Sequence, residues 1–94
     1  MPKIAIYKFI TFFILSYDFK NEPPHLHFIR GKHYAKPGKI WLKTLEFEQT
    51  GDFTQAELNL VEKLIVKYQT QLIEIFNNYK ISNTKQNILT LKLK

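Results

Sequence analysis

Apolar positions dominate the first 43 residues in short runs, and then the period changes. Residues 3–7 and 9–17 are dense in Ile, Phe, Tyr and Thr and end at turn residues. That pattern predicts two strands joined as a hairpin. The second is apolar at nearly every position, so both of its faces are expected to be covered. The stretch from Asp18 through Phe19, Lys20, Asn21 and Glu22 to Pro23 and Pro24 reads as a loop. Its two prolines exclude helix and remove two backbone donors. Residues 25–30 read as a third strand, stopped at Gly31. Lys36, Pro37, Gly38 and Lys39 carry a turn signal, and residues 39–43 read as a fourth strand.

The helix announces itself more strongly. Thr54 and Glu57 stand at the spacing of a capping box, with Thr54 as the N-cap. Phe53 and Leu58 flank them as a hydrophobic staple. Leu58, Val61, Ile65, Tyr68, Leu72, Ile75 and Tyr79 then recur at alternating steps of three and four. Leu64 and Phe76 widen that stripe until it is broad enough to cover a sheet. A helix over 54–79 is roughly 39 Å long at 1.5 Å per residue. A seven-residue strand spans only about 23 Å, so the helix is expected to overhang the sheet.

These elements predict an α+β fold. About four strands form a small antiparallel sheet over 1–43, packed against one long C-terminal helix over 54–79. The whole of 1–94 is expected to be one domain, because a chain of 94 residues supports one core. In the tail, Leu89, Leu91 and Leu93 alternate with Thr90, Lys92 and Lys94, which is a strand pattern. Three outcomes stay open for 80–94: a fifth, edge strand of this sheet, a strand added to a partner's sheet, or a free basic tail.

Composition narrows the class. Hydrophobic residues make up 45% of the chain and aromatic residues 15%, too rich for a disordered segment. There is no cysteine, so disulfide scaffolds and Cys-ligated zinc are excluded. The apolar run from Phe9 to Leu15 is far shorter than the roughly 20 residues needed to cross a bilayer. No small-residue cleavage pattern follows it. It therefore reads as a buried strand, and a cytoplasmic location with no membrane partner is the expectation. The net charge of +6 is unevenly placed. Residues 1–43 carry eight cations and two acids, residues 44–79 two cations and six acids, and residues 80–94 four lysines and no acid. Such segregation predicts a basic face and an acidic partner, either RNA or a protein.

The chemistry concentrates in one stretch. All three histidines lie within residues 25–33. On a strand, side chains alternate between faces, so His25 and His27 share one face while Leu26 and Phe28 share the other. Leu26 and Phe28 read as core, which assigns the histidines to the less buried face beside Glu22. By the same parity Arg30 falls on the Leu26 side. Three readings compete. Paired imidazoles suit general acid–base chemistry on RNA, with Glu22 beside them and Arg30, Lys32 or Lys20 on phosphate. His25 and His27 with Asp18 or Glu22 make up a two-histidine, one-carboxylate metal set, although a bare pair fixes only two ligands. Alternatively, the prolines shape a turn and the histidines satisfy loop carbonyls or coat the sheet. Lys32, Tyr34, Lys36, Lys39, Trp41 and Lys43 alternate cation with ring, as nucleic-acid surfaces do. Trp41 is then either a stacking platform or a core ring. No phosphate loop, nucleophile elbow or HExxH sequence is present, so the enzyme classes that use them are not supported.

Several of these residues carry a family resemblance. Ser16-Tyr17-Asp18, Glu22 to His27 (EPPHLH), Gly31, Ala35-Lys36, Lys39 to Leu42 and a helix opening at Phe53 resemble the bacterial family called domain of unknown function 4160. The resemblance covers roughly residues 1–81. It implies a small α+β protein that acts as the toxin of a type II toxin–antitoxin pair, beside a small antitoxin-like protein encoded nearby. By position it marks Glu22, Pro23, Pro24, His25 and His27, with Lys36 and Trp41 more weakly. The chain departs from the family pattern at Lys36–Lys39, where members run almost directly into the aromatic strand, and in its longer lysine-rich tail. Together with the residue reading, this gives a leading expectation of action on RNA or translation without metal or cofactor. His25, His27 and Glu22 are the candidate catalytic residues, and Arg30, Lys32, Lys36, Lys39 and Lys20 the candidate phosphate contacts. The alternatives are a non-enzymatic module that binds an acidic protein and a metal-dependent enzyme. Self-association also stays open.

Overall fold

Six strands and one helix follow one another among the described residues. They are β1 (Lys3–Tyr7), β2 (Ile10–Phe13), β3 (His25–Arg30), β4 (His33–Trp41), β5 (Phe47–Gln49), α1 (Gln55–Ser82) and β6 (Leu89–Thr90). The computed structural model of the chain describes residues 3–15, 22–82 and 88–93, without the side chains of residues 33–35 and 82. The fold is α+β, a mixed sheet with one long C-terminal helix.

The strands lie in the order β5-β4-β3-β2-β1-β6. Neighbours from β5 to β1 pair antiparallel, and β6 pairs parallel to β1. The tail therefore does return as an edge strand, and it makes the sheet mixed rather than purely antiparallel. A parallel neighbour needs a crossover, and α1 supplies it. Tyr68 Oη accepts a hydrogen bond from the Lys92 amide at 3.0 Å, and Lys67 Nζ donates to the Lys92 carbonyl at 2.6 Å. Helix and sheet thus hold the tail from two sides.

Two expectations about strands need correcting. The Lys36–Lys39 stretch is not a turn, because β4 runs through it. Phe28 pairs with Gly38 while Arg30 pairs with His33, so Tyr34 to Pro37 all stand opposite Ile29. That is a large bulge, a place where a proline costs no ladder hydrogen bond. Re-entry at Gly38 is forced, since a Cβ there would lie 2.1 Å from Cζ of the buried Phe28 ring. The residues that depart from the family pattern are thus accommodated by bulging. The second correction is β5, which the apolar pattern did not announce. It is three residues long, and only Phe47 of the three is packed against the core.

The core lies between α1 and one face of the sheet. Ile10, Phe12, Ile14, Leu26, Phe28, Ile40 and Leu42 meet Leu58, Val61, Leu64, Ile65 and Leu72 there. The capping box forms as the spacing demands. Thr54 Oγ1 accepts from the Glu57 amide at 3.2 Å, and Glu57 Oε1 accepts from the Thr54 amide at 2.9 Å. The helix does not overhang as a straight rod. Tyr68 leaves helical geometry (φ −112°, ψ 17°), and α1 kinks there. Past the kink, Gln69 Nε2 donates to the Leu42 carbonyl at 2.6 Å, and Phe76 reaches the start of β3. No described helix is long and apolar enough to cross a membrane.

Candidate functional site

Strand pairing confirms the parity of β3. His25 pairs with Trp41, His27 with Lys39 and with Phe13, and Ile29 with Thr11. The two histidines do share the face opposite Leu26 and Phe28. That face, however, is not open. His25 is 0% exposed and His27 6% exposed. The expectation of a surface pair is overturned, and the reason lies in what packs around it. β3 is an inner strand with a neighbour on each side. The ring of His27 stacks on Phe13 at 5.4 Å. The ring of His25 lies 5.3 Å from each of His27, Trp41 and Phe76. Phe76 comes from the part of α1 that follows the kink at Tyr68.

The loop before β3 is pinned from three directions. His25 Nδ1 is 2.9 Å from the Pro23 carbonyl oxygen. A carbonyl only accepts, so Nδ1 carries the proton in this contact. The Leu42 amide donates to the Pro24 carbonyl at 3.0 Å. Lys39 Nζ donates to Glu22 Oε1 at 2.7 Å, and the same ammonium sits 4.5 Å from the centre of the Trp41 ring. Glu22 Oε1 is also 4.0 Å from His25 Nδ1. His25, Glu22, Lys39 and Trp41 therefore form one connected assembly around Pro23 and Pro24. Trp41 answers both readings in part. It is half-buried, with its edge against His25 and a cation over its ring.

The other candidates do not converge on this assembly. Arg30 lies on the helix face, as its parity indicated, and is engaged there. Its guanidinium donates to both carboxylate oxygens of Glu57 and to the Asp52 carbonyl at 3.0 Å. The hydrogen bond to Arg30, the Thr54 amide and the nearby positive charge hold Glu57 down to about 2 from an ordinary 4.5. The same hydrogen bond, with the charges of Glu57 and Asp52, raises Arg30 above its ordinary value. Lys32 is exposed at the β3–β4 turn and Lys36 is exposed in the β4 bulge. Lys20 and Asp18 fall outside the described residues, as does the His33 side chain. Among the described residues, no three His, Asp or Glu side chains are grouped so as to hold a metal ion.

What the sequence reading missed is the hollow beside this assembly. Pro23, Pro24 and Trp41 wall a cavity of about 280 Å³, with Lys43, Thr44 and Glu46 at its rim. The rim belongs to the β4–β5 turn. The Trp41 carbonyl accepts there from the Leu45 amide at 2.8 Å, and the Trp41 amide donates to the Glu46 carbonyl at 2.9 Å. This turn holds Leu45 at a left-handed φ of 65°, and Gln69 clamps it from the helix. The neighbouring Pro-Pro and Trp signals were visible in sequence, but their closeness depends on the His25–Trp41 pairing.

The family model for a domain of unknown function, DUF4160, matches residues 10–77. The chain belongs to that family. The matched span runs from β2 into the second half of α1 and holds the whole Pro-Pro assembly, while β1 and β6 lie outside it. No curated protein and no solved structure matches the chain.

Proposed function

We propose that this DUF4160 protein works as a protein-binding module, the basic member of a two-protein pair of the toxin–antitoxin kind. It does not act through acid–base chemistry at His25 and His27. The observation that carries this reading is the burial of both imidazoles beneath Phe13, Trp41 and Phe76. A general acid or base must come within hydrogen-bond reach of the substrate proton. Here His25 spends Nδ1 on the Pro23 carbonyl, and its ring serves as packing. Two of the cations suggested for phosphate, Arg30 and Lys39, are matched by Glu57 and Glu22. What remains is a basic sheet half with a shaped, pinned loop, and such a surface suits the recognition of an acidic protein.

Two measurements test this. If a small acidic protein is encoded beside this chain, co-expression with it is expected to yield a complex that co-purifies and loosens with salt. Incubating the purified chain with cellular RNA across the histidine titration range is expected to leave the RNA intact. RNA cleavage that His27→Gln abolishes without lowering the unfolding temperature would restore the ribonuclease reading and sink this one.

A further inference from the structure

We infer that the C-terminal strand β6 is a latch. Docked as the edge of the sheet, it holds the kink of α1, and through the kink it keeps the His25–Trp41 assembly closed. The inference deepens the binding-module reading, because it names what controls the shape of the loop on which that reading rests. Its first ground is the kink itself. Bends in helices arise at Pro, at Gly or Ser, at a π-bulge or where a group inserts into the hydrogen-bond ladder. Residues 61–72 contain no Pro, Gly or Ser, yet Tyr68 lies at φ −112° and ψ 17°. The local sequence does not demand a bend there. What stands at the bend is a set of tertiary tethers.

Three consecutive side chains make those tethers. Tyr68 Oη accepts from the Lys92 amide at 3.0 Å and donates to the Lys92 carbonyl at 3.2 Å. Lys67 Nζ donates to the same carbonyl at 2.6 Å. Gln69 Nε2 reaches the other way, to the carbonyls of Leu42 at 2.6 Å and Lys43 at 3.4 Å. β6 closes one edge of the sheet, and β4, which ends at Trp41, lies one strand from the opposite edge. The kink is thus tied to both sides of the sheet. The tail is the lighter tie. It pairs with β1 only at Leu89 and Thr90, and the Leu91 amide then donates to the Ile6 carbonyl at 2.8 Å. Among the described tail residues Leu91 alone is buried in the core. An element held by so few contacts opens more readily than the core does.

The second ground is what lies beyond the kink. That part of α1 carries Leu72, Phe76 and Tyr79 into the core and sets Phe76 5.3 Å from His25. His25 lies 5.3 Å from Trp41 and holds the Pro23 carbonyl. A chain of contacts therefore runs from Lys92 through Tyr68 and α1 to Phe76, His25 and Trp41. Packed elements move between discrete arrangements rather than deforming continuously. Freed of the tail, Tyr68 regains helical geometry, the segment after it swings, and Phe76 leaves His25. Release of the tail at one edge of the sheet is thus felt at the loop near the other. The tail lies outside the residues that the family model matches, whereas the kink and the loop lie inside them, so the latch is an element added to the matched span.

Two full-length variants loosen the latch without touching the assembly. Tyr68→Phe removes only the hydroxyl, and Leu91→Asp drives the tail off the core. Each is measured well below its unfolding transition, with Lys63→Ala, at an exposed position of α1, as the control. Trypsin cleavage at Lys92 reads release of the tail. Trp41 is the chain's sole tryptophan, so its emission reads the assembly. Diethyl pyrocarbonate labelling of His25 and His27, located by mass spectrometry, reads the burial of the imidazoles. Both variants are expected to speed cleavage at Lys92, to move the Trp41 emission to the red and to raise labelling of both histidines severalfold. The effect is expected to be larger for Leu91→Asp, and Lys63→Ala is expected to match the parent. A freed tail with emission and labelling unchanged overturns the inference, because β6 is then an edge cover with no hold on the assembly. A tail as protected in Tyr68→Phe as in the parent overturns it too. If Leu91→Asp fails to fold, Tyr68→Phe decides alone. Failure of the binding-module reading shows elsewhere, as His27-dependent RNA cleavage, and none of these readouts depends on it.

Discussion

The two ends of β3 solve opposite problems. At the Arg30 end a permanent charge lies at the sheet–helix junction. It is matched by Glu57 and Asp52 and rests 5.0 Å over the Phe53 ring. At the His25 end two titratable rings are taken out of water and packed among aromatic rings. The first end holds the helix start to the sheet by charge and stays partly exposed. The second holds a loop and a tryptophan by packing and stays dry. Five positions along β3 lead from a fully buried ring to a partly exposed ion pair. The lesson is that residue chemistry alone does not assign a role. An arginine that reads as a phosphate ligand is paired with Glu57, and histidines that read as an active pair are buried among aromatic rings.

Four substitutions test that contrast. The largest effect belongs to the dry end. His25→Ala empties a fully buried ring site and frees the Pro23 carbonyl, and should cost about 2–4 kcal/mol by analogy with large-to-small core changes. A urea midpoint unchanged from the parent would show that the ring is not a brace. Next comes Gly38→Ala, which drives a methyl into the buried Phe28 ring. Overpacking of this kind costs roughly 1–3 kcal/mol, readable in thermal unfolding. An unchanged unfolding temperature would mean that Phe28 has room to move. At the helix start, Thr54→Ala removes the N-cap hydroxyl and should cost about 1 kcal/mol, with the loss appearing in the same unfolding curves.

The smallest and most specific effect is in pH. Glu57 has a lower pKa folded than unfolded, so the folded state prefers its charged form. Its contribution is present above the ordinary 4.5 and is lost as pH falls toward about 2. Glu57→Gln should therefore flatten the acid limb of stability in that window, after allowing for a lower plateau above it. An acid limb identical to the parent's would mean that the Arg30 clamp contributes nothing to folding. Because this pair is partly exposed, salt should erode its contribution more than that of the buried end.

The residues that were legible in sequence are those whose role is local. The capping box, the period of α1, the alternation of His25 and His27 against Leu26 and Phe28, and the helix-side parity of Arg30 each follow from backbone geometry over a few residues. The β4 bulge was not legible. A Pro-Gly pair marks a turn unless a distant ring, here Phe28, demands the glycine and the proline falls where no partner waits. β5 was missed because three residues with one inward side chain carry no period to detect.

The candidate site divides in the same way. The sequence alone determined that two histidines share one strand face, that prolines precede them, that a tryptophan stands among lysines and that the charge is segregated. Which faces are wet was decided only by tertiary structure, because burial depends on what arrives from elsewhere. Phe76, from the part of α1 beyond the bend at Tyr68, packs on His25, strand pairing sets Trp41 beside it, and Gln69 holds the β4–β5 turn. Alternation fixes direction along a strand within two residues. Exposure is a property of the assembled layers, and no local pattern contains it.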